Sequence, residues 1–170
     1  MLTRTQAEDF LFAECELLDD WRLPEWATLY TEDAVYEITS PATADPLTAR
    51  PEATLFLVAD KIDRIRGRAT RLMKKTAHAE FPHSKTRHLL GNVRVSRGEG
   101  GEGGQGGETR VRANFAVYRT KEDTTTVYMG EAHYTLVEDA AQAGRIKIRS
   151  KRCVLDLNSL YHQGRLTIIL

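Results

Sequence analysis

Cysteine is scarce: Cys15 and Cys153 are the only two in 170 residues. They stand near opposite ends of the chain, with no CxxC or CxH context. That excludes a disulfide framework and a clustered-thiolate metal site, and it predicts reduced thiols in a cytoplasmic protein. Long apolar runs are also missing. The opening MLTRTQAEDF lacks the apolar core of a signal peptide, and no later run could span a bilayer, so no membrane partner is expected. Net charge is missing too, with 24 basic against 24 acidic side chains. Such a balance gives no long-range pull on nucleic acid, and a neutral surface favours self-association. HExxH, HxxxH and GxSxG do not occur, which removes the commonest zinc-hydrolase and serine-hydrolase signatures.

What remains has ordinary globular proportions, with 41% hydrophobic and 28% charged residues, and its length suits one domain over 1–170. Thr5-Gln6-Ala7-Glu8 fits a capping box. Phe10, Leu11, Leu17, Leu18 and Trp21 follow at helical spacing. Pro24 suits the first turn of a short second helix carrying Trp26, Leu29 and Tyr30. AVYEIT has strand propensity, and SPATADPLTARPEA, with three prolines and no period, is a loop. The stripe Leu55, Val58, Ile62, Ile65, Ala69, Leu72 predicts one helix over 55–75. Its basic residues form a solvated or partner-facing surface.

Beyond residue 85 the period falls from 3.6 to 2. TRHLLGNVRVSR, TRVRANFAVYRT, TTVYMGEAHYTLVE and RIKIRSKRCVLDL read as long strands, and KEDT and DAAQAG as short hairpin links. Strands this long must twist or curl, and Gly130 marks a bulge or bend. The fold class is α+β, with N-terminal helices packed on a strongly curved antiparallel sheet.

The chemical motifs are weak. Gly98-x-Gly100-x-x-Gly103 matches a dinucleotide fingerprint by letter, but a strand follows where a helix is needed. Glu99, Glu102 and Glu108 would also repel phosphate, so residues 98–107 are read as a flexible glycine-rich hairpin loop. His78, His83 and His88 are spaced by five. On a strand the middle one faces the other way, and on a helix the spacing diverges and Pro82 intervenes; they read as separate polar histidines. Asp33, Tyr118, Tyr128 and His133 could do acid–base work only if a curved sheet enclosed them together.

FPHSKTRHLLGNVRV, Phe81 to Val95, resembles the P-x-S-x-T-R-H-x-x-x-N-V-R-V segment of the small (β) subunits of aromatic-ring-hydroxylating Rieske dioxygenases. Pro82, Ser84, Thr86, Arg87, His88, Asn92, Val93, Arg94 and Val95 carry the match. The opening FLFAECELLDDWRLPEWATLYTEDAVYEI and the closing KRCVLDLNSLYHQGRLTIIL are similar to the family's two ends. The resemblance implies the NTF2-like cone and a structural, assembly-forming role beside a large α subunit in an α3β3 hexamer, with the β chains associating as a trimer. It places a Rieske [2Fe–2S] cluster and a mononuclear iron on the α subunit and no cofactor or catalytic group on this chain. Arg87, His88, Asn92 and Arg94 are then candidates for hydrogen bonds at a subunit interface or within the cone. Leu166, Ile168, Ile169 and Leu170 are candidates for a buried contact, since a free apolar tail would be an aggregation hazard. The alternative on the same fold is a stand-alone isomerase or dehydratase using a pocket Asp or His.

Overall fold

The computed structural model describes residues 1–98, 107–139 and 141–170. The glycine-rich loop expected over 98–107 lies, apart from its end residues, outside them.

Helix α1, Arg4–Asp19, starts two residues earlier than the Thr5–Glu8 pairing predicts. Thr3 is the N-cap: its side chain accepts from the Gln6 N–H, and the Gln6 side chain accepts from the Thr3 N–H. The earlier start also allows the Arg4–Glu8 pair one turn along, at 2.8 Å. Ala7, Leu11, Glu14, Cys15 and Leu18 face inward. The second helix, α2, spans only Leu23–Ala27, with Pro24 in its first turn. Tyr30, expected on that helix, opens strand β1, Tyr30–Thr39.

The stretch 55–75 is not one helix. It divides into β2, Phe56–Lys61, and α3, Ile62–Leu72. β2 pairs antiparallel with β1, Val35 opposite Lys61 and Ile38 opposite Val58. A short apolar run reads equally as strand or helix; the free edge of β1 decides in favour of strand. Strands β3 (Lys85–Arg97), β4 (Thr109–Lys121), β5 (Thr124–Glu138) and β6 (Ile146–Leu155) complete a six-stranded sheet in the order β2-β1-β6-β5-β4-β3. The sheet is mixed rather than wholly antiparallel, because β6 runs parallel to β1, Tyr36 opposite Lys151 and Ile38 opposite Cys153. The chain reaches β6 from the β5 hairpin, and that entry sets its direction.

Gly130 is not a bulge. Its pairing with β4 runs unbroken through Phe115. A Cβ there would meet the Val154 carbonyl oxygen at 1.9 Å, so glycine permits a close approach of β5 to β6. Register shifts lie elsewhere: on β5 between Thr135 and Leu136, and on β3 between Gly91 and Arg94, where Asn92 takes a left-handed φ of 52°. Asparagine tolerates that conformation better than most residues. One inserted residue swaps the faces: Thr86 and His88 point inward before it, and Val93 after it. The helices cover one face of the curved sheet. Trp26, Tyr36, Leu11, Ile65, Leu136 and Ile148 are among the fully buried side chains beneath them. No helix among the described residues is long and apolar enough to cross a membrane.

Candidate functional site

Two polar assemblies stand out inside the fold. The first holds the C-terminal segment. His88 on β3 has its side chain almost wholly buried. Its Nδ1 lies 2.6 Å from Asp19 Oδ1 at the end of α1, and its Nε2 lies 3.1 Å from the Ile169 carbonyl oxygen. Both ring nitrogens thus face oxygen atoms of the fold. Asp19 also accepts the His88 backbone N–H at 3.1 Å. Burial alone would raise the Asp19 pKa; the hydrogen bonds from His88 outweigh it and hold the carboxyl below its ordinary value.

The tail is fastened twice more. Tyr36 Oη on β1 accepts the Leu170 N–H at 3.1 Å and donates to the Leu170 carbonyl at 3.3 Å. The Thr167 hydroxyl donates to Glu80, which also accepts from Ser84 Oγ and Arg119 Nε, each at 2.7 Å. Burial pushes the Glu80 carboxyl up, but these donors hold it below its usual range. Ile168, Ile169 and Leu170 are buried, Leu166 is half-buried and Arg165 is exposed. The segment thus completes the core from inside, held by side chains rather than by a strand ladder.

The second assembly is a buried ion pair. Lys151 Nζ on β6 lies 2.8 Å from Glu14 Oε1 on α1, and neither residue is exposed by more than 2%. Trp26 Nε1 donates to the same oxygen at 3.0 Å, and Tyr134 Oη donates to Oε2 at 3.0 Å. The ammonium also lies 5.2 Å from the centre of the Tyr134 ring. Burial alone would depress the Lys151 pKa; the Glu14 carboxylate more than offsets this and holds it raised. Both carboxylate oxygens of Glu14 thus have donors, and the Lys151 ammonium has the carboxylate and the Tyr134 ring, so neither buried group is left without a partner.

Sequence reading named His88 and the apolar tail of the first assembly but missed the second, which left a signal all the same. Glu14 falls on the apolar stripe Ala7–Leu11–Leu18 of α1, and Lys151 falls in phase with Cys153 and Leu155 on β6. A charged residue at a core position asks for a partner.

The four residues considered for acid–base chemistry do not converge. Tyr128 is buried, whereas Tyr118 is 42% exposed on the outer sheet face. His133 sits on that outer face beside Glu131. Asp33 is exposed on β1, within 3.2 Å of Arg149. Of the other predicted residues, Arg87 and Arg94 are exposed on β3, and Asn92 supplies the left-handed step.

The donor set does not fit a Rieske cluster or a mononuclear iron. The imidazole nitrogens of His88 are both engaged, and His83 is stacked on Trp21 with ring centres 4.1 Å apart. Burial pushes both thiols, Cys15 and Cys153, up to about 12, against thiolate ligation. No three His, Cys, Asp or Glu side chains converge on a metal position among the described residues.

Residues 13–161 match the family model described as the ring hydroxylating beta subunit. The chain is 43% identical over 169 residues to the small oxygenase component of the p-cumate 2,3-dioxygenase system of Pseudomonas putida, covering 99% of this chain and 88% of that protein. Among solved structures, the beta subunit of the benzoate 1,2-dioxygenase of Burkholderia mallei matches with a TM-score of 0.63 at 26% identity, covering 92% of each chain. Naphthalene 1,2-dioxygenase with indole bound in its active site matches in fold, with a TM-score of 0.77 at 14% identity over 98% of this chain and 85% of that one. The chain therefore belongs to the ring-hydroxylating beta-subunit family, the small oxygenase components of ring-hydroxylating dioxygenases.

Proposed function

We propose that this chain is the non-redox, assembly-forming subunit of a cytoplasmic dioxygenase that opens the catabolism of a carboxylated aromatic ring of the p-cumate kind. The observation that carries this reading is the 43% identity to the p-cumate small component, sustained over 99% of the chain. The interior supports it. Glu14, Lys151, His88, Glu80 and Tyr36 are all committed to one another or to the tail. Both irons, the Rieske [2Fe–2S] cluster and the mononuclear centre, then belong to a large α subunit, in an α3β3 hexamer. Arg87 and Arg94 face that assembly. His88, Asn92 and the residues Leu166, Ile168, Ile169 and Leu170 shape the surface from behind. The whole of 1–170 acts as one domain.

Affinity purification of the tagged chain from its own host tests this. The expected result is a larger, red-brown iron–sulfur protein in fixed ratio with it, and oxygen-dependent dihydroxylation of p-cumate only when both are present. A chain that purifies alone from cells expressing that protein, or that transforms an aromatic substrate alone, overturns the reading.

A further inference from the structure

The chain is neutral overall but its charge is not evenly spread. Where α3 ends and the tail enters the fold there is an open cleft of about 330 Å³. Arg71 and Leu72 of α3, the loop 76–80 and the tail residues Arg165, Leu166 and Thr167 line it. Arg71, His78 and Arg165 are exposed, and their side chains make no ion pair or hydrogen bond among the described residues. The one carboxylate in the lining is Glu80. It is buried, and its charge is already met by Arg119 at 2.7 Å and by the Ser84 and Thr167 hydroxyls. The C-terminal end of α3 favours a cation at Arg71, but a helix end carries only about half a charge and cannot answer both arginines.

The walls of this cleft are held in place. Lys121 Nζ donates to the Ala79 carbonyl at 2.8 Å, and Arg119 Nη2 donates to the same oxygen at 3.4 Å. The contact of Thr167 with Glu80 ties the tail to that loop. Leu72 is part of the main core and Leu166 packs against it. With Ala77 they give the lining an apolar part, beside two guanidinium groups and an imidazole. His78 offers a ring N–H in either tautomer.

We propose that this cleft binds a small aromatic carboxylate. The ring lies against Leu72, Ala77 and Leu166, and the carboxylate is shared by Arg71 and Arg165, with His78 as a further donor. The planar guanidinium fork matches a carboxylate better than any other side chain does, and a cleft of this size takes a one-ring ligand. An inorganic anion would leave the apolar lining uncovered, and an uncharged ring would leave the arginines unmet. Arg71 belongs to α3 and Arg165 to the root of the tail, so a shared carboxylate fastens the tail to the helix and stabilises its docked state. The aromatic body is chosen from the proposed function and rests on that reading; the carboxylate site stands on the cleft alone.

Calorimetric titration of the full chain with p-cumate tests it. Two comparison ligands are run at the same ionic strength: the uncharged p-isopropylbenzyl alcohol, which keeps the ring, and inorganic phosphate, which keeps the charge. The expected result is one saturable p-cumate site per chain with a Kd of about 1 mM or below, a Tm that rises with p-cumate, and slower hydrogen exchange in residues 166–170. Each comparison ligand is expected to bind about tenfold or more weakly. Arg71→Gln/Arg165→Gln changes two exposed side chains, so it is expected to unfold at the wild-type temperature without ligand and to bind p-cumate about tenfold or more weakly. If that pair does not fold, the two single changes replace it, each expected to weaken binding about threefold or more. Lys74→Gln/Lys75→Gln removes as much charge from outside the lining and is expected to change binding by less than about twofold. No saturable binding of p-cumate overturns the site. So does equal binding of the alcohol or of phosphate, or a loss on changing the lysines as large as that on changing the arginines. If the chain binds p-cumate as expected but the two-component enzyme does not oxidise it, the proposed function fails while this site stands. If that enzyme oxidises p-cumate and the chain alone does not bind it, the site fails and the function stands.

Discussion

Inside the fold and on the outer sheet face, charge is handled in opposite ways. Glu14 and Lys151 are dry, and each oxygen of the carboxylate has a donor. On the outer face, Arg112, His133 and Arg152 share two carboxylates, and Arg94 and Arg110 make no ion pair among the described residues. A buried charge without a partner is costly enough to undo a fold, so the interior must be complete within one chain. An exposed charge costs little, so the surface can be left incomplete until something else meets it. The interior therefore has to be settled within one chain, whereas the outer face is free to be completed from outside.

The sharpest way to break the contrast is to unbalance the interior. Lys151→Met removes the counter-charge and leaves the Glu14 carboxylate buried with only neutral donors. The expected loss is about 3–5 kcal/mol in a urea titration. Adding Glu14→Gln, which removes the charge, keeps one oxygen to accept from Trp26 and turns an amide N–H toward the Tyr134 hydroxyl oxygen, is expected to restore most of it. A single variant that loses less than the double would show that the pair is not held ionised.

Next in size is the tail. Ile168 is 5% exposed and packs into the main core. Ile168→Ala is expected to cost about 2–4 kcal/mol, since the removed atoms leave a cavity the sheet cannot close. Proteolysis beginning in residues 160–166 would show the same loosening directly. An unchanged urea midpoint would mean that the segment is docked but contributes little.

The two regions also differ in how much of them the sequence announces. The four strands from β3 to β6 are legible because alternation is a local property: Val111, Ala113, Phe115 and Val117 point in, and the residues between them point out. The β1–β6 parallel pairing is illegible, because it joins residues 30–38 to 148–153 and no local pattern encodes a partner that distant. The 55–75 stretch misleads for a related reason. Leu55, Val58 and Ile62 fit a helical stripe by coincidence, while β2 owes its state to the neighbouring edge of β1. Of the site, Pro82–Val95 is legible as a motif, but what the motif does is not. Asn92 acts through its backbone, and His88 acts through Asp19 and Ile169, 69 and 81 positions away.

A milder perturbation is acid. The Asp19 and Glu80 carboxyls lie below their ordinary values in the folded chain. They release protons more readily folded than unfolded, so their stabilisation is full above about pH 5 and is lost as pH falls through and below about 4. Each carboxyl holds part of the tail or its support, so the tail is expected to loosen before the sheet unfolds. Hydrogen exchange followed downward from pH 6, corrected for the intrinsic rate, is expected to show residues 167–170 losing protection first. Loss of protection in β4 and β5 at the same pH would mean that tail and sheet open together.

The smallest effect should come from the outer face, and its smallness is informative. Arg94→Ala and Arg110→Ala remove side chains that are exposed and make no ion pair among the described residues. Nothing buried is left unsatisfied, no cavity forms, and arginine is not a strongly preferred strand residue at either site. Each change is expected to move the unfolding free energy of the unassociated chain by less than about 0.5 kcal/mol. A residue held for the fold would show its loss in that measurement; one held for a partner would not. Repeating the titration at two protein concentrations separates the cases, because a chain stabilised by association gains stability with concentration and a monomer does not. If the alanine variants lose the concentration dependence yet keep the wild-type midpoint at high dilution, the arginines belong to recognition. If they unfold earlier at every concentration, the outer face is part of the architecture after all, and the division between the two regions fails there.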